Sequence, residues 1–413
     1  MRCLPILRNA RRAAVVLLIA GLGSVLPASP ARGVTPAEAD RAFRALNAVY
    51  WDPDARFFRK DERESKQADF WFEAQLWDVV MDQYDRTGDE AVKRQIDAVC
   101  DGFIKKHPDW TTNKYNDDIM WWAIACARAY RITGDDRYLS KAKASFDFVY
   151  DNFRDDALGG GLYWINERTS KNSCLNSPAV IAAVRLSLLL HDALYLEKAE
   201  GLYAWQKKTL TDGNGKVFDN IRHDKRRQAP RIGRFSLTYN QGTFIGAAVL
   251  LYQQSNDQAY LDDAVKAAEW IRANLCVGDD RILKSEGQGD GGAFKGIFVR
   301  YMKPLIFECG RVEFLPWMKA NADAAWRNRR PAGDVMGADW TIPAGPRIQS
   351  QTAASAWPSS SISRTSRPAV SKLGDEPVTP GRTINALRRR SLPPTRPGTG
   401  YGPLAPGPSP NDR

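Results

Sequence analysis

The sequence predicts an all-α fold, an (α/α)6 barrel of six helical hairpins, and three observations carry that expectation. First, from about residue 35 to 355 helical apolar patterns alternate with short breaks of Gly, Asp, Asn or Pro, and few runs show the period of a strand. Second, a hairpin motif recurs: TGDDRYLSKA (133–142) is echoed by SNDQAYLDDA (255–264) and HDALYLEKA (191–199), and more faintly by TGDEAVKRQI (87–96). In each clear copy an Asp stands where it caps a second helix, and a Tyr-Leu pair follows where it packs inward. Third, 43% hydrophobic residues, with 13 Trp, 14 Tyr and 16 Phe, suffice for the core of one large domain.

Taken in order, apolar positions at helical spacing place helices at about 35–50, 68–86, 89–106, 117–133, 136–153, 174–190, 192–210, 239–255, 257–274, 291–308 and 311–328, with another beginning near 348. Paired consecutively, they give a toroid whose inner helices ring a central cleft and whose outer helices cover them; an open α-solenoid is the structural alternative. The longer segments 154–173, 211–238 and 277–290 read as loops crowding one rim, where functional side chains usually sit. The last helix breaks off inside IQSQTAASAW (348–357) and is expected to be truncated.

Both ends differ from this body. Residues 1–31 have a basic start (Arg2, Arg8, Arg11, Arg12), an apolar run from Ala13 to Leu26 and small residues up to Ala31, the layout of a secretory signal peptide. The apolar run is shorter than the roughly 20 residues of a spanning helix, and Arg11-Arg12 is a weak twin-arginine signal. From Trp357 to Arg413 the chain holds 11 of its 24 prolines, is rich in Ser and Arg and lacks helical periodicity. That composition predicts a disordered tail, and the abrupt change fits a shifted reading frame. Residues 32–356 then form the single folded domain.

The net charge of +11 invites a nucleic-acid or membrane-surface partner, but +4 lies in residues 1–31 and +6 in 357–413, which leaves +1 for the body. No nucleic acid, and no stable membrane insertion after signal removal, is expected. The cysteines at 3, 100, 126, 174, 276 and 309 match no zinc or CxxC spacing, leaving disulfides or small buried thiols open. His107, His191 and His223 lie too far apart for metal-ligand spacing, and there is no P-loop, GxGxxG before a helix or GxSxG. Neither metal nor cofactor is called for.

The strongest local feature is TTNKYNDDIMWWAIACARAYRITGD (111–135). Asn116 or Asp117 can cap the following helix, which accounts for one acid but not for Asp117 and Asp118 together, since adjacent carboxylates repel. At a helix start the backbone can aim both into one cleft. Retaining glycosidases need their carboxyl groups only ~5–5.5 Å apart, and inverting ones ~6.5–9.5 Å, so adjacency favours retention. Trp121 and Trp122 lie on different helical azimuths, one suited to the core and the other to stacking on a sugar face.

Four segments together, YNDDIMWWAIACARAYRITGDDRYL (115–139), GGGLYWINERTSKNSCLNSPAVIAA (159–183), LTYNQGTFIGAAVLLYQQSNDQAYLDDA (237–264) and GDGGAFKGIFVRYM (289–302), resemble glycoside hydrolase family 76, the endo-α-1,6-mannanases. The resemblance runs in order from about residue 40 to 355 and implies an (α/α)6 barrel, retention of configuration, and roles for Asp117 as nucleophile and Asp118 as general acid/base. Beside it, the amides near two loop–helix junctions (Asn172, Asn176 and Lys171; Tyr239, Asn240 and Gln241) suit hydroxyl recognition, because an amide both donates and accepts; helix capping is the alternative. Asn116, Asp290, Arg300 and Tyr301 complete the candidate substrate-binding set, with Lys295 nearby, and Arg300 could equally serve a structural ion pair. The expected protein is a monomeric, secreted or periplasmic hydrolase of internal α-1,6-mannosidic bonds, with a polysaccharide substrate. Glycosyl transfer to another sugar, or carbohydrate binding without turnover, are the alternatives.

Overall fold

The computed structural model describes residues 33–224, 226 and 228–356. The expected leader (1–31) and tail (357–413) lie outside them. The described residues hold twelve α-helices: α1 (Pro36–Tyr50), α2 (Phe70–Thr87), α3 (Glu90–Lys106), α4 (Asn116–Thr133), α5 (Asp136–Phe153), α6 (Ser173–Leu190), α7 (Ala193–Thr209), α8 (Thr238–Ser255), α9 (Gln258–Asn274), α10 (Gly291–Phe307), α11 (Leu315–Arg327) and α12 (Ser350–Ser355). The even-numbered helices form an inner ring, each packed on the next, and α12 closes the ring between α10 and α2. The odd-numbered helices cover it, which decides for the closed toroid over the solenoid.

The recurring motif is the turn from an inner to an outer helix. Gly88, Gly134, His191 and Asn256 end α2, α4, α6 and α8 in the left-handed region, a conformation that suits Gly and Asn. Asp89, Asp135, Asp192 and Asp257 then cap α3, α5, α7 and α9, each accepting from the N–H two residues on at 2.8–3.0 Å. Such a cap stabilises a helix by about 1 kcal/mol. The inner helices are buried nearly all round: α6 is apolar and long enough to cross a membrane, yet most of it lies inside the ring. Its first charged residue is Arg185.

Glycines set the spacing of the seam between α8, α10 and α12. A Cβ at Gly242 would lie 2.5 Å from Phe298 Cα, one at Gly246 2.3 Å from the Tyr301 ring, and one at Gly296 2.7 Å from Ser355 Cα. The α12 helix has 6 residues, against 17 or 18 in the other inner helices, and every one is buried. Residues 60–64 pin its approach. Ser350 N donates to Lys60 O (3.0 Å), Arg330 pairs with Glu62 (2.9 Å), and Arg347 pairs with Asp61 and Glu64.

The main departure from the all-helical expectation lies in the long loops. Ser170–Asn172, Asn220–Asp224 and Ala229–Gly233 form a three-stranded antiparallel sheet with Asn172, Asn220 and Gly233 in one row and Ser170, Arg222 and Arg231 in another. Its other face carries Ile221 and Ile232, which pack with Trp205, Leu210 and Phe218. Two-residue strands, 51–52 with 57–58 and 276–277 with 282–283, add small hairpins. Cys100, Cys126, Cys174, Cys276 and Cys309 are all free thiols, and the first four are buried.

Candidate active site

The inner helices begin at one rim. There the charges of Asp69, before α2, and Asp290, before α10, act on Asp118, while Asp117 adjoins Cys174 of α6, itself in contact with Tyr239 of α8. The start of α4 is held from outside. Asn116 N donates to Trp164 O (2.9 Å), Asn116 Nδ2 donates to Tyr163 O (2.8 Å), and Tyr115 bridges to Ile165. Tyr115 occupies the N-cap with no side-chain cap bond, so neither Asn116 nor Asp117 caps the helix in the way the sequence allowed.

Asp118 is 8% exposed and its Oδ2 accepts from Asn113 Nδ2 at 2.8 Å. Asp117 Oδ1 is buried with no hydrogen-bond partner among the described residues. Burial pushes the Asp117 carboxyl up to about 6, against the stabilising influence of the Cys174 thiol and Trp164 indole beside it. Burial, joined by the charge on Asp117, pushes Asp118 up to about 8 against the stabilising bond from Asn113. The pair therefore titrates in two separated steps, leaving one carboxylate and one carboxylic acid near neutrality.

Just inside this rim runs a row of rings from four inner helices. Trp121 lies 6.4 Å from Trp71, Trp71 lies 6.2 Å from Phe294, and Phe294 stacks on Tyr239 at 3.9 Å, with interplanar angles of 26°, 24° and 11°. Deeper along the same helices lies an ionic layer. Arg128 pairs with Asp78 (3.0 Å), Asp82 (2.7 Å) and Asp85 (2.7 Å), while Arg300 bonds Gln75 (2.8 Å) and Asp82 (3.3 Å).

Several sequence candidates leave the substrate-facing set. Trp122 is 0% exposed, stacks on Phe103 at 3.7 Å and donates to Phe70 O, so it is core and Trp121 is the member of the pair facing the ring of helices. Asn176 spends its amide on Leu162 N, Leu162 O and Asn172 O, locking the Gly-rich loop. Gln241 likewise donates to Gly215 O and accepts from Val217 N and Ser236 Oγ. Arg300 belongs to the ionic layer, nine residues beyond the start of α10, and Tyr301 fills the space opposite Gly246. Lys171 is wholly buried, donating to Asp155 Oδ1 (2.7 Å) and to the Ala157 and Gly160 carbonyls. Lys295 stands over Trp340 and donates to Ala338 O (2.6 Å); burial lowers its pKa to about 7.

Others stay at the rim. Asn240 Nδ2 donates to Asp219 Oδ1 (3.1 Å), while Asn240 Oδ1, Asn116 Oδ1 and Trp164 Nε1 are buried without partners. Asn172 accepts from Ser170 Oγ (2.7 Å) beside the start of α6, Tyr239 joins the aromatic row, and Asp290 is exposed opposite Asp118. Sequence reasoning missed Trp71, Phe294, Trp164, Cys174, Asn113 and Asp69. A signal existed for Asp69, which precedes its helix as Asp290 does; the rest become neighbours of the pair only through the closure of the ring.

The model of the family described as "Glycosyl hydrolase family 76" matches residues 36–371. Among curated proteins, the mannan endo-1,6-α-mannosidase DCW1 of Saccharomyces cerevisiae is 24% identical over 303 residues, which is 66% of this chain and 66% of that protein. The chain thus spans just under two thirds of that relative's length, and 56% of the length of its Eremothecium gossypii counterpart. Among solved structures, the α-1,6-mannanase GH76A of Salegentibacter sp. HEL1_6 is 33% identical with a TM-score of 0.75, covering 79% of this chain and 98% of that one. An inactive variant of that enzyme, with two adjacent aspartates replaced by asparagine, is solved with α-1,6-mannotriose (32% identity, TM-score 0.74, 79% and 98% covered). With the family model spanning most of its length and its helices arranged in the same toroid, the chain belongs to glycosyl hydrolase family 76.

Proposed function

We propose that the protein hydrolyses internal α-1,6-mannosidic bonds of mannan by double displacement, with Asp117 as nucleophile and Asp118 as general acid/base. The observation that carries this reading is the pair itself: two adjacent carboxyls at the start of an inner helix, both raised by burial but held apart in pKa, one with an oxygen left unpartnered. The Salegentibacter enzyme, inactive when two adjacent aspartates are replaced, supports a catalytic role for an adjacent pair.

In the first step an Asp117 oxygen attacks the anomeric carbon and the bond from that carbon to the leaving oxygen breaks. The Asp118 proton passes to that oxygen. Esterified Asp117 no longer carries charge, so the pKa of Asp118 falls and the group is fitted to act as a base. It then takes a proton from water as the water oxygen attacks the anomeric carbon. The ester bond breaks, and both carboxyls return to their starting states with configuration retained.

The half-buried faces of Trp71 and Tyr239 offer apolar surface to sugar rings, with Trp121 behind them. Asn172 and Asp290 border the same rim, where the buried Asn116 Oδ1 and Asn240 Oδ1 have no hydrogen-bond partner among the described residues. Residues 1–31 support export.

The test is incubation of the purified protein with linear α-1,6-mannan beside Asp117→Asn and Asp118→Asn variants, with the anomer of the first product read by NMR. The expected result is α-configured oligosaccharides from the wild type alone. No products from the wild type, or equal yields from all three, would sink the hydrolase reading. Products longer than the substrate in the presence of a sugar acceptor would turn it towards transfer.

A further inference from the structure

Residues 219–234 hold six Lys and Arg (Arg222, Lys225, Arg226, Arg227, Arg231, Arg234) against Asp219 and Asp224, a formal +4, while the rest of residues 32–356 carries −3. The small positive charge of the body is therefore concentrated in one hairpin. Arg222 and Arg231 are direct cross-strand partners, a like-charge pairing that opposes sheet formation. Both are exposed, and neither they nor Arg226 form an ion pair among the described residues. Arg234 covers the Phe218 ring at 4.9 Å. The Arg222–Arg231 pairing thus works against the sheet, and an anion bound between the two would relieve it.

The sheet register says where that ligand lies. Arg222 and Arg231 share a row with Ser170, and the adjoining row on the same face is Asn172, Asn220 and Gly233. Asn172 immediately precedes α6, whose second residue, Cys174, adjoins Asp117. Asn220 bonds Asp219, which in turn bonds Asn240. A polar strip thus leads from the catalytic rim through amides to a pair of unpaired guanidiniums two residues further out along each strand.

We propose that this hairpin is an anion-binding arm that selects mannan bearing phosphate groups, an inference that rests on the mannan reading above. Guanidinium groups present planar forks that match phosphate oxygens two at a time, and two of them facing across a strand pair form a site for one phosphate. The described residues at the turn, Arg226, Gln228, Ala229 and Pro230, include no large apolar side chain of the kind that anchors a protein in a bilayer. The exposed Phe235 follows the second strand at the end away from the turn, so the basic turn itself offers charge without an apolar anchor, which suits an anion on the glycan better than a lipid surface.

The test compares phosphate-bearing α-1,6-mannan with the same material after enzymatic dephosphorylation, using wild type and the exposed double variant Arg222→Gln/Arg231→Gln. The expected result is a KM for phosphate-bearing mannan raised about tenfold in the variant at low ionic strength, with kcat and all parameters for dephosphorylated mannan unchanged. Added salt should erase the wild type's preference. Equal KM values for the two mannans in the wild type, or an equal loss on both in the variant, would overturn the proposal. So would a variant that no longer sediments with phosphatidylinositol vesicles while keeping wild-type kinetics on phosphate-bearing mannan. Should the wild type cleave neither mannan, the hydrolase reading fails separately. Calorimetric titration of both mannans then decides the arm: a phosphate preference abolished by the double variant supports it, and none refutes it.

Discussion

At the scale of single residues, the two aspartates tie catalysis to pH with signs that can be checked. Turnover needs Asp117 ionised and Asp118 protonated, so kcat/KM should form a bell, falling below about 6 and above about 8. A profile flat across those limbs would contradict the assignment. Asp117→Asn should lower kcat by about 10⁴ or more. Asp118→Asn should lower it by about 10²–10⁴ and spare the first step for an aryl mannoside whose leaving group needs no proton. The same pKa shift bears on stability. The folded state holds the Asp118 proton that the unfolded chain loses near 3.8, so stability falls as pH rises from there towards about 8. Thermal melts of Asp118→Asn should therefore match wild type near pH 4 and exceed it by a few degrees at pH 7–8.

At the scale of elements, the inner-to-outer turns and the glycine seam set the geometry that brings the rim together. Asp135→Ala removes the cap of α5 and should cost about 1 kcal/mol in urea unfolding without moving KM. Gly246→Val, by contrast, drives side-chain atoms into the Tyr301 ring. It should cost at least 1–3 kcal/mol and reduce kcat as well, because α8 and α10 carry Tyr239 and Phe294. The capped turns were legible in the sequence because an Asp cap and a left-handed residue are local signals. The three-stranded sheet was not: its strands have three to five residues, and Asn172 pairs with Asn220 across a whole helical hairpin. Periodicity read along one segment cannot see such a pairing.

At the scale of the whole molecule, the inner helices carry the acid pair at one rim and, deeper along their length, an ionic layer of Arg128, Arg300, Asp78, Asp82 and Asp85. Burial works against the charge on Asp82, yet Arg128 and Arg300 hold its pKa below the ordinary value. Its contribution is thus present above 3.8 and lost as pH falls through the lower folded value. Arg128→Ala removes the guanidinium shared by Asp78, Asp82 and Asp85 and leaves the two buried carboxylates Asp78 and Asp82 with Arg300 alone, which should cost about 3–5 kcal/mol at pH 7, a deficit that narrows as those carboxylates protonate in acid. Urea titrations at pH 7 and pH 4 would test this.

The helices, their pairing into hairpins and the position of Asp117 and Asp118 at a helix start are readable along the chain, because these rest on periodicity, caps and adjacency within a few residues. What each polar side chain faces depends instead on contacts between segments far apart in the chain. Asn176, Gln241, Arg300 and Tyr301 have the residue types of a sugar site, yet the first two lock loops, Arg300 joins the ionic layer and Tyr301 fills a helix seam. Trp71, Trp164, Phe294 and Cys174 reach the rim from distant segments. The difference is physical: a cap or an apolar stripe is satisfied within its own helix, whereas burial, a shifted pKa and an unpartnered oxygen exist only once α12 closes the ring and water is excluded from it.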